Sequence, residues 1–190
     1  MERQQELGEI IREPEPPHLP SVVGVAPGLV MAFLSDGFLL INAARASRRI
    51  LHEAFIGGYP QTQSPIFPLR VKCPDKLAQR LDLMARLGFA LAVSGGFAVV
   101  SSLPLVPWQI NPESLEHAFA ELVDIPPMDL PGATAVLVQH LSLTPDKPLS
   151  PRAAAQLADA LFSCKEPLVG PDGGVTAVRF KWSELSQGII

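Results

Sequence analysis

Proline sets the terms on which this chain can fold: 20 of its 190 residues are proline, about twice the usual share of ~5%. Each one fixes φ, removes a backbone donor, and interrupts a helix interior or a central strand. The spacing therefore predicts short elements joined by rigid corners. A coiled coil and a collagen-like rod are excluded, since neither sustained heptads nor a G-X-Y period is present, and no internal repeat is visible. At this length one core-forming unit, or two small lobes, can bury enough surface to stand without a metal or a disulfide. Cys73 and Cys164 agree, lying far apart with no C-x-x-C near either, which points to reduced thiols.

Fifteen Lys and Arg face nineteen Asp and Glu, for a net charge of -4 with only 18% charged residues, so no basic stripe for strong standalone nucleic-acid binding is expected. From Leu87 to Pro112 no residue carries a formal charge. The stretch is nonetheless no membrane span, because Ser94-Gly95-Gly96, Ser101-Ser102, Pro104, Pro107, Gln109 and Asn111 suit turns rather than a bilayer helix. It reads as a hairpin of Phe89–Val93 and Phe97–Leu103. Glu2, Arg3, Glu6 and Glu9 stand where a signal peptide would place its apolar run. The expectation is a cytoplasmic protein with no membrane partner.

Residues 1–20 combine charge with Pro14, Pro16, Pro17 and Pro20, a linker-like composition. Ser21–Leu34 and Phe38–Ile41 read as two strands around a Ser35-Asp36-Gly37 turn. Asn42 then caps a helix over Ala43–Phe55, stopped by Gly57-Gly58. Beyond a Pro-rich joint come a strand at Leu69–Lys72 and a helix opened by Pro74 with Leu77, Leu81, Met84 and Leu87 on one face. After the hairpin, Asn111-Pro112 opens a helix with Leu115, Phe119, Leu122 and Val123 inward. The remainder predicts a strand or short helix at Ala135–Leu143, a helix over Pro151–Phe162 capped by Ser150, and a strand at Val175–Phe180. The fold class is α+β in two lobes: residues 21–66 with 126–190, and an inserted lobe over 67–125.

Catalytic signatures are scarce. His18, His52, His117 and His140 do not pair with another His or Cys at metal-ligand spacing, and no G-x-S-x-G, Walker loop or G-x-G-x-x-G occurs. Gly170-Pro171-Asp172-Gly173-Gly174 reads as a turn. Arg45, Arg48 and Arg49 put three guanidinium groups on one helix, a candidate for DNA phosphate contact; a charged outer face of an ordinary amphipathic helix accounts for them better.

Taken in order, these segments resemble the C-terminal domain of the MutL family of DNA mismatch-repair proteins, over about Ser21 to Ser186. The anchors are the run from Ser21 to Phe55, the run from Phe67 to Pro104, and Gly170 to Gln187. Endonuclease-bearing members open the helix after the second strand with a D-Q-H-A-x-x-E-R pattern that binds metal ions. Here Asn42 stands for the aspartate, Ala44 for the histidine and Arg48 for the second acid. The family's A-C-x-x-A cysteine is absent near Val138-Gln139-His140, and the C-P-H-G-R-P region reads Gly170-Pro171-Asp172-Gly173-Gly174-Val175. An amide, a methyl and a cation cannot replace anionic or lone-pair ligands, so the resemblance implies the nuclease-lacking kind, with no catalytic residue, no metal and no cofactor in this chain.

What such a domain is expected to do is homodimerise, holding together N-terminal ATPase domains that carry the ATP and Mg sites and are absent here. The implied partners are a MutS-like protein, the replication sliding clamp, a nicking endonuclease, a helicase, and DNA in the full-length protein. Gln63-Ser64-Pro65-Ile66-Phe67-Pro68 matches the family's Q-x-x-[LI]-x-P clamp-contact peptide, with Gln63, Ile66, Phe67 and Pro68 as the contacts. The same residues also read as a Pro-rich joint with Ile66 and Phe67 in the core. Candidate dimer residues are Val30, Phe33, Leu157 and Leu161, where Leu157 and Leu161 suit core or interface. Two other readings are a nicking endonuclease with unusual ligands Asp172, His140 and Glu53, and a monomeric clamp-binding adaptor.

Overall fold

The computed structural model describes residues 21–58 and 60–187; the linker-like segment 1–20 lies outside them. The fold is α+β, as the sequence predicts. Strands β1 (Val22–Ala26), β2 (Leu29–Leu34) and β3 (Gly37–Asn42) form an antiparallel meander, followed by helix α1 (Ala43–Ile56). Then come β4 (Thr62–Gln63), β5 (Leu69–Lys72), a 3-10 helix (Asp75–Arg80), α2 (Leu81–Arg86), β6 (Ala90–Ser94), β7 (Phe97–Pro104) and α3 (Pro112–Leu122). The chain ends in α4 (Leu130–Leu141), α5 (Pro151–Phe162), β8 (Ala177–Lys181) and α6 (Trp182–Gln187). One sheet runs β1-β2-β3-β8, and in the other β7 pairs with β4, β5 and β6, all antiparallel.

The three foreseen helix caps form. The Asn42 side chain accepts from Arg45 N at 3.0 Å, that of Asn111 from Glu113 N at 3.0 Å, and that of Ser150 from Ala153 N at 3.3 Å. Each satisfies a donor that the helix leaves open. Elsewhere four expectations change. Ser21–Leu34 is two strands, because Pro27 and a Gly28 with φ of 72° turn the chain back on itself, the pairing that a tight turn with Pro before Gly favours. The segment expected as a strand or short helix from Ala135 is a helix that already starts at Leu130: Asp129 accepts from Gly132 N at 2.9 Å and Pro131 sits in the first turn, a start signal upstream of the apolar run. The helix expected at Pro74 is a 3-10 turn followed by α2. With three residues per turn the register slips, so Leu77, Met84 and Leu87 are buried but Leu81 is exposed. The last strand starts at Ala177, while Val175 makes only an isolated bridge to Val169.

Two sets of buried side chains make the core. Val30, Ala32 and Ile41 of the first sheet pack with Ala43, Ala46 and Ile50 of α1 and with Ala154, Leu157, Ala158 and Leu161 of α5. Leu51 and Phe55, on the same α1, join Val71, Leu77, Met84, Phe89, Val100, Leu115, Phe119, Leu122 and the α4 residues Val136, Leu137 and Leu141 in the larger set. The indole of Trp108 packs against both and donates from Nε1 to Leu141 O at 3.0 Å. Burial pushes the Cys164 thiol up to about 11 and raises that of Cys73, and both cysteines are free; neither has the thiolate character of a reactive cysteine.

A polar knot ties α1 to the chain before β8. Buried Arg49 donates to Glu53 Oε1 at 2.9 Å from Nε and to Glu166 Oε2 at 2.7 Å from Nη2. Glu53 also accepts from Lys165 N at 2.8 Å and Glu166 N at 3.2 Å. Burial alone would raise the Glu53 carboxyl, but those two N–H donors and Arg49 outweigh it and hold its pKa below the usual range. Because the folded pKa lies below the unfolded one, this stabilisation is complete above the unfolded pKa and is lost as pH falls through the folded one.

Two outcomes follow from this packing. Leu157→Ala should destabilise the fold by about 2–5 kcal/mol in urea unfolding, the cost of a core cavity. Glu53→Ala should cost about 3 kcal/mol at neutral pH, since it takes one of two carboxylates from a buried guanidinium and leaves the N–H groups of Lys165 and Glu166 without their acceptor. The gap between it and the parent chain should close as the buffer is acidified; a gap unchanged in acid would show that the loss is packing alone.

Candidate functional site

Strand parity gives the first sheet two very different faces. Directly paired residues share a side, so Val30, Ile41 and Ala177 point toward α1 and α5, as do Ala32 and Leu39. The opposite face carries Val23, Met31, Leu40 and Val178 in one row and Phe33, Phe38 and Phe180 in the next. Phe38 stacks on Phe180 with centroids 5.1 Å apart and touches the Trp182 ring at 5.4 Å. None of these seven carries a charge or a polar side chain, and all are half-exposed or exposed. An antiparallel sheet with one face on its own core normally turns a polar face outward; an apolar one marks a surface that another chain covers.

The candidate dimer residues divide accordingly. Val30, Leu157 and Leu161 lie inside the chain's own core, at 0%, 1% and 0% exposure. Their inward position follows from strand parity and from the helical spacing of Leu157 and Leu161 on the buried stripe of α5. Phe33 alone stands on the outer face. Its neighbours Met31, Phe38, Leu40 and Phe180 share that face, which sequence reasoning does not find because β2 and β3 are apolar almost throughout and only the register set by the Pro27-Gly28 turn separates their sides.

Between β4 and β5 the chain bulges outward. Ile66 is 93% and Phe67 80% exposed, which corrects the reading of these two as core. Gln63 is held in β4 and donates from Nε2 to Pro104 O at 3.3 Å, while Pro68 is exposed. Two large apolar side chains so fully in water, on a segment stiffened by Pro65 and Pro68, form a small preordered prong.

The three arginines do not form a clamp. Arg49 is buried in the polar knot, Arg45 donates from Nη1 to Val175 O at 3.0 Å, and Arg48 is exposed with no hydrogen bond or ion pair among the described residues. Position 49 turns inward because it follows the exposed Arg48 by one residue on a helix.

Beside Arg48 a cavity of about 580 Å³ opens between α1, α4 and the turn at Asp172. Its walls are Ile56, Leu130, Pro131 and Val138, with Arg48, His52, Thr134, Gln139 and Asp172 as the polar members. Asp172 accepts from Gly174 N at 3.0 Å, which, with Arg45 and Arg48 nearby, holds its carboxyl below the usual range. Thr134 is buried, and neither its Oγ1 nor His52 Nδ1 finds a partner within the described chain. An unmet buried group of this kind costs about 1–3 kcal/mol.

Metal chemistry is not supported by these donors. Asn42 is spent on its cap, Ala44 offers no lone pair, and Arg48 would repel a cation. Nor do the alternative ligands converge: Glu53 is filled by two N–H groups and Arg49, His140 Nε2 lies 2.7 Å from Glu121 Oε2, and Asp172 faces the cavity. Among the described residues no group of three or more His, Cys, Asp or Glu is placed to hold an ion. No helix of the described chain is long and apolar enough to cross a membrane.

No protein-family model matches the chain. It is 27% identical over 186 residues to the DNA mismatch repair protein MutL of Desulforudis audaxviator, covering 90% of this chain and 32% of that protein. It is 25% identical over 197 residues to the MutL of Gemmatimonas aurantiaca, covering 94% and 32%. The chain thus spans about a third of the length of the curated relatives it matches, and is similar to one region of MutL.

Proposed function

We propose that this chain is the C-terminal homodimerisation and partner-binding domain of a MutL-like DNA mismatch-repair protein, tethering ATPase domains that lie outside it. The observation that carries this is the apolar outer face of the β1-β2-β3-β8 sheet. A second copy is its proposed occupant. A closed two-fold dimer needs a self-complementary patch, and a charge-free face satisfies that condition, since no like charges meet across the axis. In this reading the tether makes association of two ATPase domains effectively intramolecular. The sheet with α1 and α5 serves as the dimerisation lobe, and the part around β5, β6, β7 and α3 as the inserted regulatory lobe.

The Ile66–Phe67 prong supplies the second role, contact with the replication sliding clamp, with Gln63 and Pro68 at its flanks. Exposure of both apolar side chains favours it over the core reading. A MutS-like protein, a nicking endonuclease and a helicase are the further partners that similarity to MutL suggests. The family's cutting function is delegated to the separate nicking enzyme, because the ligand positions of this chain hold an amide, a methyl and a cation.

Sedimentation equilibrium tests the central point. The parent chain should be a dimer, and Leu40→Glu should weaken self-association at least about a hundredfold by burying an unpaired charge while leaving the secondary structure intact. A parent chain that stays monomeric at high micromolar concentration rejects the dimer and promotes the adaptor. The prong is tested separately: Ile66→Ala with Phe67→Ala should leave the melting temperature unchanged and reduce clamp affinity at least about tenfold. Unaltered clamp binding would remove the motif.

A further inference from the structure

We propose that Arg70 belongs to the docking surface of the Ile66–Phe67 prong, and that the partner which takes the prong presents a carboxylate to its guanidinium. This rests on the reading of the prong as a sliding-clamp contact and deepens it by naming the chemistry on the partner's side. The first observation is preorganisation. Arg70 is exposed on β5, and its guanidinium carbon lies 4.1 Å from the centroid of the Phe97 ring. The ring attracts the cation, so a long and rotatable side chain is restrained while its five N–H groups stay available. Apart from that ring, the guanidinium has no hydrogen bond or ion pair among the described residues. Glu116, the carboxylate bound to β5, accepts instead from Lys72 N at 3.0 Å.

The second observation is placement. Arg70 pairs directly with Val99, which is exposed, while the next residue, Val71, is buried in the core; strand parity therefore puts Arg70 on the open side of its sheet. Only two residues separate it from Phe67, so the two Cα atoms lie within about 11 Å of each other. An interface of standard size covers about 800 Å² on each partner, a patch of about 16 Å radius. A partner centred on the prong thus covers Arg70 as well. Covering a cation without an opposite charge is costly, and a carbonyl would satisfy N–H groups while leaving the charge unpaired. A carboxylate does both, through two parallel N–H bonds that match the guanidinium fork.

Binding of the full chain to immobilised sliding clamp tests it. Arg70→Gln should weaken binding at least about tenfold, mostly through faster dissociation, and Arg70→Lys, which keeps the charge but not the fork, should recover only part of the loss. Phe97→Leu leaves the guanidinium in place but frees it, and should cost about threefold. Melting curves that match the parent establish that the variants fold. On the clamp, single Asp→Asn and Glu→Gln changes around the pocket that takes the prong should include one that weakens the parent at least about tenfold yet adds nothing to Arg70→Gln, the mark of a direct pair. If Arg70→Gln binds as the parent does while Ile66→Ala with Phe67→Ala is weakened, the Arg70 inference is overturned and the clamp reading stands. The same holds if no clamp carboxylate couples to Arg70. A parent chain that does not bind the clamp overturns both.

Discussion

Helix α1 is the member on which the rest of the structure hangs, because it belongs to both cores at once. Ala43, Ala46 and Ile50 close the first sheet, while Leu51 and Phe55 enter the larger set around β7, α3 and α4. Adjacent positions on a helix point about 100° apart, so Ile50 and Leu51 can serve different cores only if the helix is wrapped on most of its circumference. Small residues at 43 and 46 let the sheet approach closely on one side. Ser47 closes another gap, since its Oγ accepts from Leu143 N at 2.9 Å and so holds the exit of α4 against the middle of α1. The Arg49–Glu53–Glu166 knot then fixes the chain on its way to β8. Without that return the sheet would lose its last strand, and the outer face would lose Val178 and Phe180.

What the sequence reveals and what it hides divide along physical lines. Caps and turns are local, and Asn42, Asn111, Ser150 and the Ser-Gly-Gly hairpin all act as their residue types demand. The 3-10 start before α2 is invisible to a helical-face argument, because Leu77, Leu81, Met84 and Leu87 fit a helical face on paper and only the tighter turn expels Leu81. The helix at Leu130 is equally ambiguous from the apolar run alone; Asp129 and Pro131 decide it, and they precede the run. The outer sheet face is a further case. Nearly every residue of β2 and β3 is apolar, so no alternation marks which side is covered, and parity becomes readable only once the register of the turn is known.

The Ile66–Phe67 prong shows why proline content matters beyond breaking elements. Between Pro60 and Pro68 the chain must leave α1 and reach β5 with few backbone donors to spend on a ladder. A two-residue β4 is all that forms. The segment after it has no sheet to join and no helix to start, so its apolar side chains are left in water. In a chain of average composition such residues would be drawn into an element; here the stiffness of the joint holds them out, and that rigidity lowers the ordering cost of any partner that takes them.

The cavity between α1 and α4 carries a cation, Arg48, where a metal site would need lone-pair donors. A cation site requires donors that carry lone pairs toward a common point, and its environment is tuned to concentrate negative charge. Placing Arg48 at such a point reverses the sign of the field without disturbing the backbone, since the helix, its Asn42 cap and the apolar wall of α4 do not depend on the ligands. The hollow persists because α1 and α4 are positioned by the two cores and not by anything bound between them. Its lining is largely apolar and carries one charge of each sign, Arg48 and Asp172.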